Sequence, residues 1–139
     1  MSGSQQSIIR FSQDIATAEA PPPLPARTYR AEVIGAFIRP AQSSGVNYLN
    51  LQFRIPAEEY PADYPDGDPD GTVLYYNRLR ATDTPTDRHR WRVLMEKIGG
   101  PLGMEVDCNA LIGLWGNVEV VHQMYEGENR ASIARILSP

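Results

Sequence analysis

Residues 27–55, RTYRAEVIGAFIRPAQSSGVNYLNLQFRI, hold two runs of alternating character joined by a short polar turn, and their reading decides the fold. In the second run Leu49, Leu51, Phe53 and Ile55 fall on one face of an extended chain. Tyr48, Asn50, Gln52 and Arg54 fall on the other, the period of two that marks a half-buried strand. The first run places Tyr29, Ala31 and Val33 on one face and Arg30, Glu32 and Ile34 on the other until Gly35 interrupts it. A glycine inside a long strand marks a bulge or bend, and a strand bent at its middle can serve both halves of a small barrel.

Working outward, GTVLYYNRL (71–79) reads as a third strand and LWGNVEVVHQMY (114–125) as a fourth, with Val118 and Val120 inward. The turn at Glu126 to Asn129 leads into RASIARIL, the fifth strand. Between strands three and four, TDRHRWRVLMEKI (86–98) has Trp91, Leu94, Met95 and Ile98 at helical spacing, Thr86 or Asp87 as a cap, and Gly99-Gly100-Pro101 as a stop. Strand, strand, strand, helix, strand, strand is the wiring of an all-β, five-stranded oligonucleotide-binding (OB) fold, a closed barrel whose helix sits between strands 3 and 4. That barrel is expected over residues 27–139, preceded at 1–26 by a flexible N-terminal arm with a proline-rich linker (Pro21, Pro22, Pro23, Pro25).

Composition narrows the classes. A body of this length buries enough apolar surface to fold without staples, and the single Cys108 has no partner within the chain, so a cytoplasmic setting is expected. No apolar run approaches a membrane span, and the N-terminus lacks the basic-then-apolar order of a signal peptide. The net charge of −4 disfavours a polyanion partner at first sight. Its distribution reverses that impression. Residues 57–71, AEEYPADYPDGDPDG, carry six acids and no base; taking those six from the 17 acids leaves 11 against 13 cations. Twelve of the 13 cations are arginine, which both grips phosphate and stacks on bases, although GC-rich coding alone favours arginine equally.

Other chemistry finds little support. Asp66 to Gly71 matches the opening of a calcium loop, D-x-D-x-D-G, but position twelve is Asn77 where a bidentate glutamate is needed. That loop is instead expected to be solvated and to repel DNA from the wrong surface. One cysteine and two histidines make no spaced zinc set, and neither a nucleophile–base arrangement nor a glycine-rich phosphate loop is present. No enzyme activity, cofactor or metal is expected.

The segments LPARTYRAEVIGAFIRPAQSSGVNYLNLQFRI, the helix ending in IGGP, ALIGLWGNVEVV and YEGENRASIARI together resemble a family of small phage-encoded OB-fold single-stranded DNA-binding proteins. The likeness spans about residues 24–137. It implies a fold and a ligand class, with single-stranded DNA as partner in phage DNA replication or recombination, in the cytoplasm of an infected bacterial host. It supplies no catalytic residue. The final ILSP departs from the acidic, phenylalanine-tipped tail of many bacterial single-strand binders, so recruitment of repair enzymes by that route is not expected.

A single-strand binder needs aromatic platforms beside a basic track. The candidates are Tyr48, Tyr75, Tyr76 and Trp115 for stacking and Arg30, Arg54, Arg78 and Arg80 for phosphates. Tyr75 and Tyr76 are neighbours and point to opposite faces, and parity does not say which is outward; Phe37 is ambiguous because of the bend at Gly35. Arg88, His89, Arg90 and Arg92 form a second basic patch that reads equally as a solvated helix surface. Association into a homo-oligomer would add avidity, and phage replication or recombination proteins are the other expected partners. The competing reading, favoured by the net charge and the acidic loop, is a structural or protein-interaction module, either a virion component or an inhibitor of a host enzyme.

Overall fold

The computed structural model describes residues 7–19 and 21–139. Five strands form one antiparallel sheet: β1 (Thr28–Pro40), β2 (Asn47–Ile55), β3 (Thr72–Arg80), β4 (Trp115–Tyr125) and β5 (Glu128–Leu137), with helix α1 (Pro85–Ile98) between β3 and β4. Short 3₁₀ turns occur at Ile15–Thr17, Ala57–Glu59 and Cys108–Leu111. Residues 1–6 and Ala20 of the expected N-terminal arm lie outside the described residues.

β1 is the hub. Its first half, Thr28 to Glu32, pairs with β4, and its second half, from Glu32 to Pro40, pairs with β2. The expected bulge is present, a register shift between Val33 and Gly35. The alternation read from the sequence becomes the core: Tyr29, Ala31 and Val33 of β1, Leu49, Leu51, Phe53 and Ile55 of β2, and Val118 and Val120 of β4 are all buried. Leu94, Met95 and Ile98 of α1 cover them. Close approach of helix to sheet depends on Gly116, where an added Cβ would lie 3.0 Å from Ile98 Cγ2.

The closed OB-fold barrel expected from the strand order is not what forms. The sheet is open, in the order β3-β2-β1-β4-β5, and no ladder joins β3 to β5 although the two edges lie near one another. Each of the two facing edge strands carries a bulge. On β3, Asn77 and Arg78 together oppose Asn50, because Tyr76 pairs with Leu51 and Leu79 with Leu49. On β5, Ala134 is the extra residue between Ile133, opposite Val120, and Arg135, opposite Glu119. A bulge interrupts a ladder and leaves its residue unpaired. The two irregular points face each other across the gap, where Arg78 Nη1 donates to the Ala134 carbonyl at 3.2 Å. Two residues further along β5, Lys97 Nζ of α1 donates to the Ile136 carbonyl at 2.9 Å. Long cationic side chains thus satisfy β5 carbonyls that a closing strand would have used, which is also how exposed edges are shielded from foreign strands.

Two local features depart from the sequence reading. The helix is capped two residues before Thr86, the earlier of the two expected caps: Thr84 is the N-cap, its hydroxyl accepting from the Asp87 N–H at 3.1 Å, and Pro85 occupies the first helical position. Leu24, within the proline-rich segment, is a core residue only 1 % exposed. Its carbonyl accepts from His122 Nε2 at 2.9 Å, and the Pro25 carbonyl accepts from the Tyr29 hydroxyl at 2.7 Å. The capping assignment is testable by urea unfolding. Thr84→Ala should cost about 1 kcal/mol, the usual loss for an N-cap, while Thr86→Ala should change stability by no more than a few tenths.

Candidate nucleic-acid interface

The outer face of the sheet, opposite the core, gathers most of the residues singled out from the sequence. One row across the strands reads Val73, Arg54, Glu32, Trp115. A second pairs Tyr75 with Gln52, and a third runs Arg80, Tyr48, Arg39. Arg30 lies two residue pairs from Trp115 along the β1–β4 ladder, its guanidinium carbon 5.9 Å from the ring centroid. Tyr75 is the outward member of its pair, 61 % exposed, whereas Tyr76 turns inward and packs against the core. Burial raises the pKa of the Tyr76 hydroxyl, and the guanidinium groups of Arg78 and Arg90 pull it partly back.

Of the eight residues, the structure therefore brings Arg30, Tyr48, Arg54, Tyr75, Arg80 and Trp115 to one face. Tyr76 and Arg78 lie toward α1 instead, Arg78 because of the β3 bulge. Two members of the outer face were not assigned from sequence. Phe37 pairs with Asn50 and Arg39 with Tyr48, and the Arg39 guanidinium carbon stands 4.8 Å from the Phe37 centroid. The signal for them was present in Gly35: counting parity afresh after the bulge puts both outward.

The cations of this face are not equally available. Arg54 donates to the Asp70 carbonyl at 3.0 Å and pairs with Glu32 at 3.7 Å. The Arg30 guanidinium leans on Trp115, and its backbone N–H donates to Glu59 Oε1 at 3.1 Å. Arg27 pairs with Asp63 at 3.6 Å. Glu59, Asp63 and Asp70 all belong to the acidic segment 57–71, so this segment is not held away from the basic surface as expected. It folds back on the Arg27, Arg30 and Arg54 end of the sheet. Its own organiser is Tyr60, edge-on to Tyr64 at 5.2 Å and hydrogen-bonded through its hydroxyl to the Asp68 carbonyl and the Thr72 hydroxyl, each at 2.8 Å.

At the other end of the face Arg80 lies 3.9 Å from Asp87, a buried carboxylate at the start of α1. Asp87 accepts hydrogen bonds from Thr82 and, through its backbone N–H, donates to Thr84. Its pKa is lowered, chiefly by the Thr82 hydroxyl, with Thr84, Arg80 and Arg90 adding to the effect against the opposing influence of burial. The Trp91 indole donates to the Arg80 carbonyl at 2.8 Å, a second tie between β3 and α1.

A scan against protein-family models gives no match, and a search of curated protein sequences gives none either. The likeness to phage-encoded single-strand binders rests on the sequence motifs alone. No described helix is long and apolar enough to cross a membrane.

Because the folded-state pKa of Asp87 lies below its unfolded value, its ionised form contributes stability that is complete above the ordinary aspartate pKa of about 3.9. That contribution is lost as the pH falls through the lower folded-state value. Asp87→Asn should therefore unfold at lower urea than the parent protein at neutral pH, and the gap between the two midpoints should narrow as the pH is taken below about 4.

Proposed function

We propose that this protein binds single-stranded DNA with little sequence preference on the outer face of β1, β2, β3 and the start of β4. One observation carries the reading: Phe37, Tyr48, Tyr75 and Trp115 share a single sheet face with Arg30, Arg39, Arg54 and Arg80. Flat rings spaced along a sheet accept bases of any identity, because every base has a stacking face, while arginines between them meet the phosphates. The action proposed is passive protection of the strand; its place in phage DNA replication or recombination rests on the sequence resemblance. The acidic segment 57–71 acts at the margin of this face as a competitor for phosphate, since Asp63 pairs with Arg27, Glu59 holds the Arg30 backbone N–H and the Asp70 carbonyl occupies Arg54. A second reading, a protein-interaction module, draws on that same engagement, which leaves fewer cations free for a polyanion.

Fluorescence anisotropy with a labelled oligothymidine of about 30 nucleotides, beside a duplex of equal length, tests the proposal. Binding should be confined to the single strand, with log K falling against log salt at a slope of about −2 to −3 for three or four phosphate contacts. Tyr75→Ala and Trp115→Ala should each cost about 1 to 3 kcal/mol of binding. No binding at low salt would transfer the assignment to the protein-interaction reading.

The role of the acidic segment is tested separately. Glu59→Gln with Asp63→Asn should tighten single-strand binding several-fold at low salt, and the gain should vanish at high salt as screening removes the competition. Unchanged affinity at low salt would show that the segment does not compete.

A further inference from the structure

The gap left where the sheet fails to close is a cleft of about 350 Å³ between α1 and the edges of β3 and β5. We infer that this cleft is a binding site for a phosphomonoester group. Its polar lining is Tyr76, Arg78, His89, Arg90, Lys97 and Arg135, and no carboxylate lines it among the described residues. Arg135 is neutralised from outside by Glu119 at 2.9 Å. Arg78 and Lys97 each spend one hydrogen on a β5 carbonyl, which explains their position but not their charge; a guanidinium has five N–H donors and an ammonium three. The Arg90 guanidinium makes no hydrogen bond or ion pair among the described residues, while its backbone belongs to α1. Asp87, whose field Arg90 feels, is taken up by Thr82 and Arg80.

Three cations around one small, partly enclosed space repel one another, and a concave site focuses that field on an incoming anion. A phosphomonoester carries nearly two negative charges at neutral pH and three acceptor oxygens, a match to three cationic donor groups. The Tyr76 hydroxyl, protonated at neutral pH as a phenol is, adds a neutral donor to the lining. The volume is at the small end for ligand pockets and suits a single nucleotide unit. Such a phosphate can come from a free mononucleotide or from the 5′ end of a strand. The inference does not require the outer face of the sheet to bind DNA.

The test uses the full chain and calorimetric titration with thymidine monophosphate and with thymidine, the latter lacking only the phosphate. The monophosphate should bind and the nucleoside should not. Arg90→Gln, which removes no side-chain hydrogen bond or ion pair among the described residues, should weaken monophosphate binding about tenfold, the worth of one charge-assisted hydrogen bond. Equal titration by the two compounds, or unchanged affinity in Arg90→Gln, overturns the assignment. Short oligothymidines with and without a 5′ phosphate then separate the sources. A preference for the phosphorylated strand that Arg90→Gln abolishes assigns the strand end, and monophosphate binding without that preference assigns a free nucleotide. If hydroxyl-ended strands fail to bind at low salt while the monophosphate binds, the outer-face proposal falls and this one stands.

Discussion

Everything in this fold hangs on the divided pairing of β1. At Glu32 the strand is in register with Trp115 on one side and Arg54 on the other, and from that residue its two halves commit to different neighbours. A strand shared in this way must bend, and the shift between Val33 and Gly35 supplies the bend. It also resets which residues face outward, so Glu32 and, beyond the bulge, Phe37 and Arg39 end on the same surface. The core side is reset with it: Ala31 and Val33 pack inward before the shift and Ala36, three residues after Val33, packs inward beyond it.

The consequence at the far side of the sheet is an edge that is chemically closed but not ladder-closed. Arg78 and Lys97 reach β5 carbonyls from β3 and from α1. Side chains of that length keep the two edges farther apart than the roughly 4.8 Å of a paired ladder while still leaving no bare acceptor at those two positions. The separation creates the basic cleft. The same feature that departs from a barrel therefore supplies a cationic space beside α1, and the stability of the edge and the charge of the cleft depend on the same residues.

The two basic regions differ in how their charge is balanced. On the outer sheet face Arg54 is met by Glu32 and by the Asp70 carbonyl, and Arg27 at its margin by Asp63 of the acidic segment, whose internal packing around Tyr60 and Tyr64 fixes its course. These contacts are exposed and individually weak, of the kind worth no more than about 1 kcal/mol and diminished by salt. They are suited to displacement by a polyanion. Of the described residues that line the cleft, Arg135 alone pairs with an acid.

Alternation and turn chemistry by themselves determined the strands, the helix and the core: Leu49, Leu51, Phe53, Ile55, Val118 and Val120 are buried because side chains two apart share a face, and Leu94, Met95 and Ile98 because helical spacing aligns them. The outer positions of Arg30, Tyr48, Arg54 and Trp115 followed from the same rule. What parity could not decide was anything beyond a bulge, since one extra residue inverts every later assignment on that strand. That is why parity groups Arg78 with Arg80 and leaves Phe37 and Arg39 open, whereas Tyr75 and Tyr76, which precede the β3 bulge, are undivided because Val73 to Tyr76 is an apolar run without alternation. Barrel closure was beyond the sequence for a related reason. Strand order is a local property of connections, but whether two distant edges pair depends on hydrogen bonds between residues such as Arg78 and Ala134, which are far apart in the chain and meet only after the sheet has curled. The course of the acidic segment was decided in the same way, by tertiary contacts of Glu59, Asp63 and Asp70 that composition could count but not place.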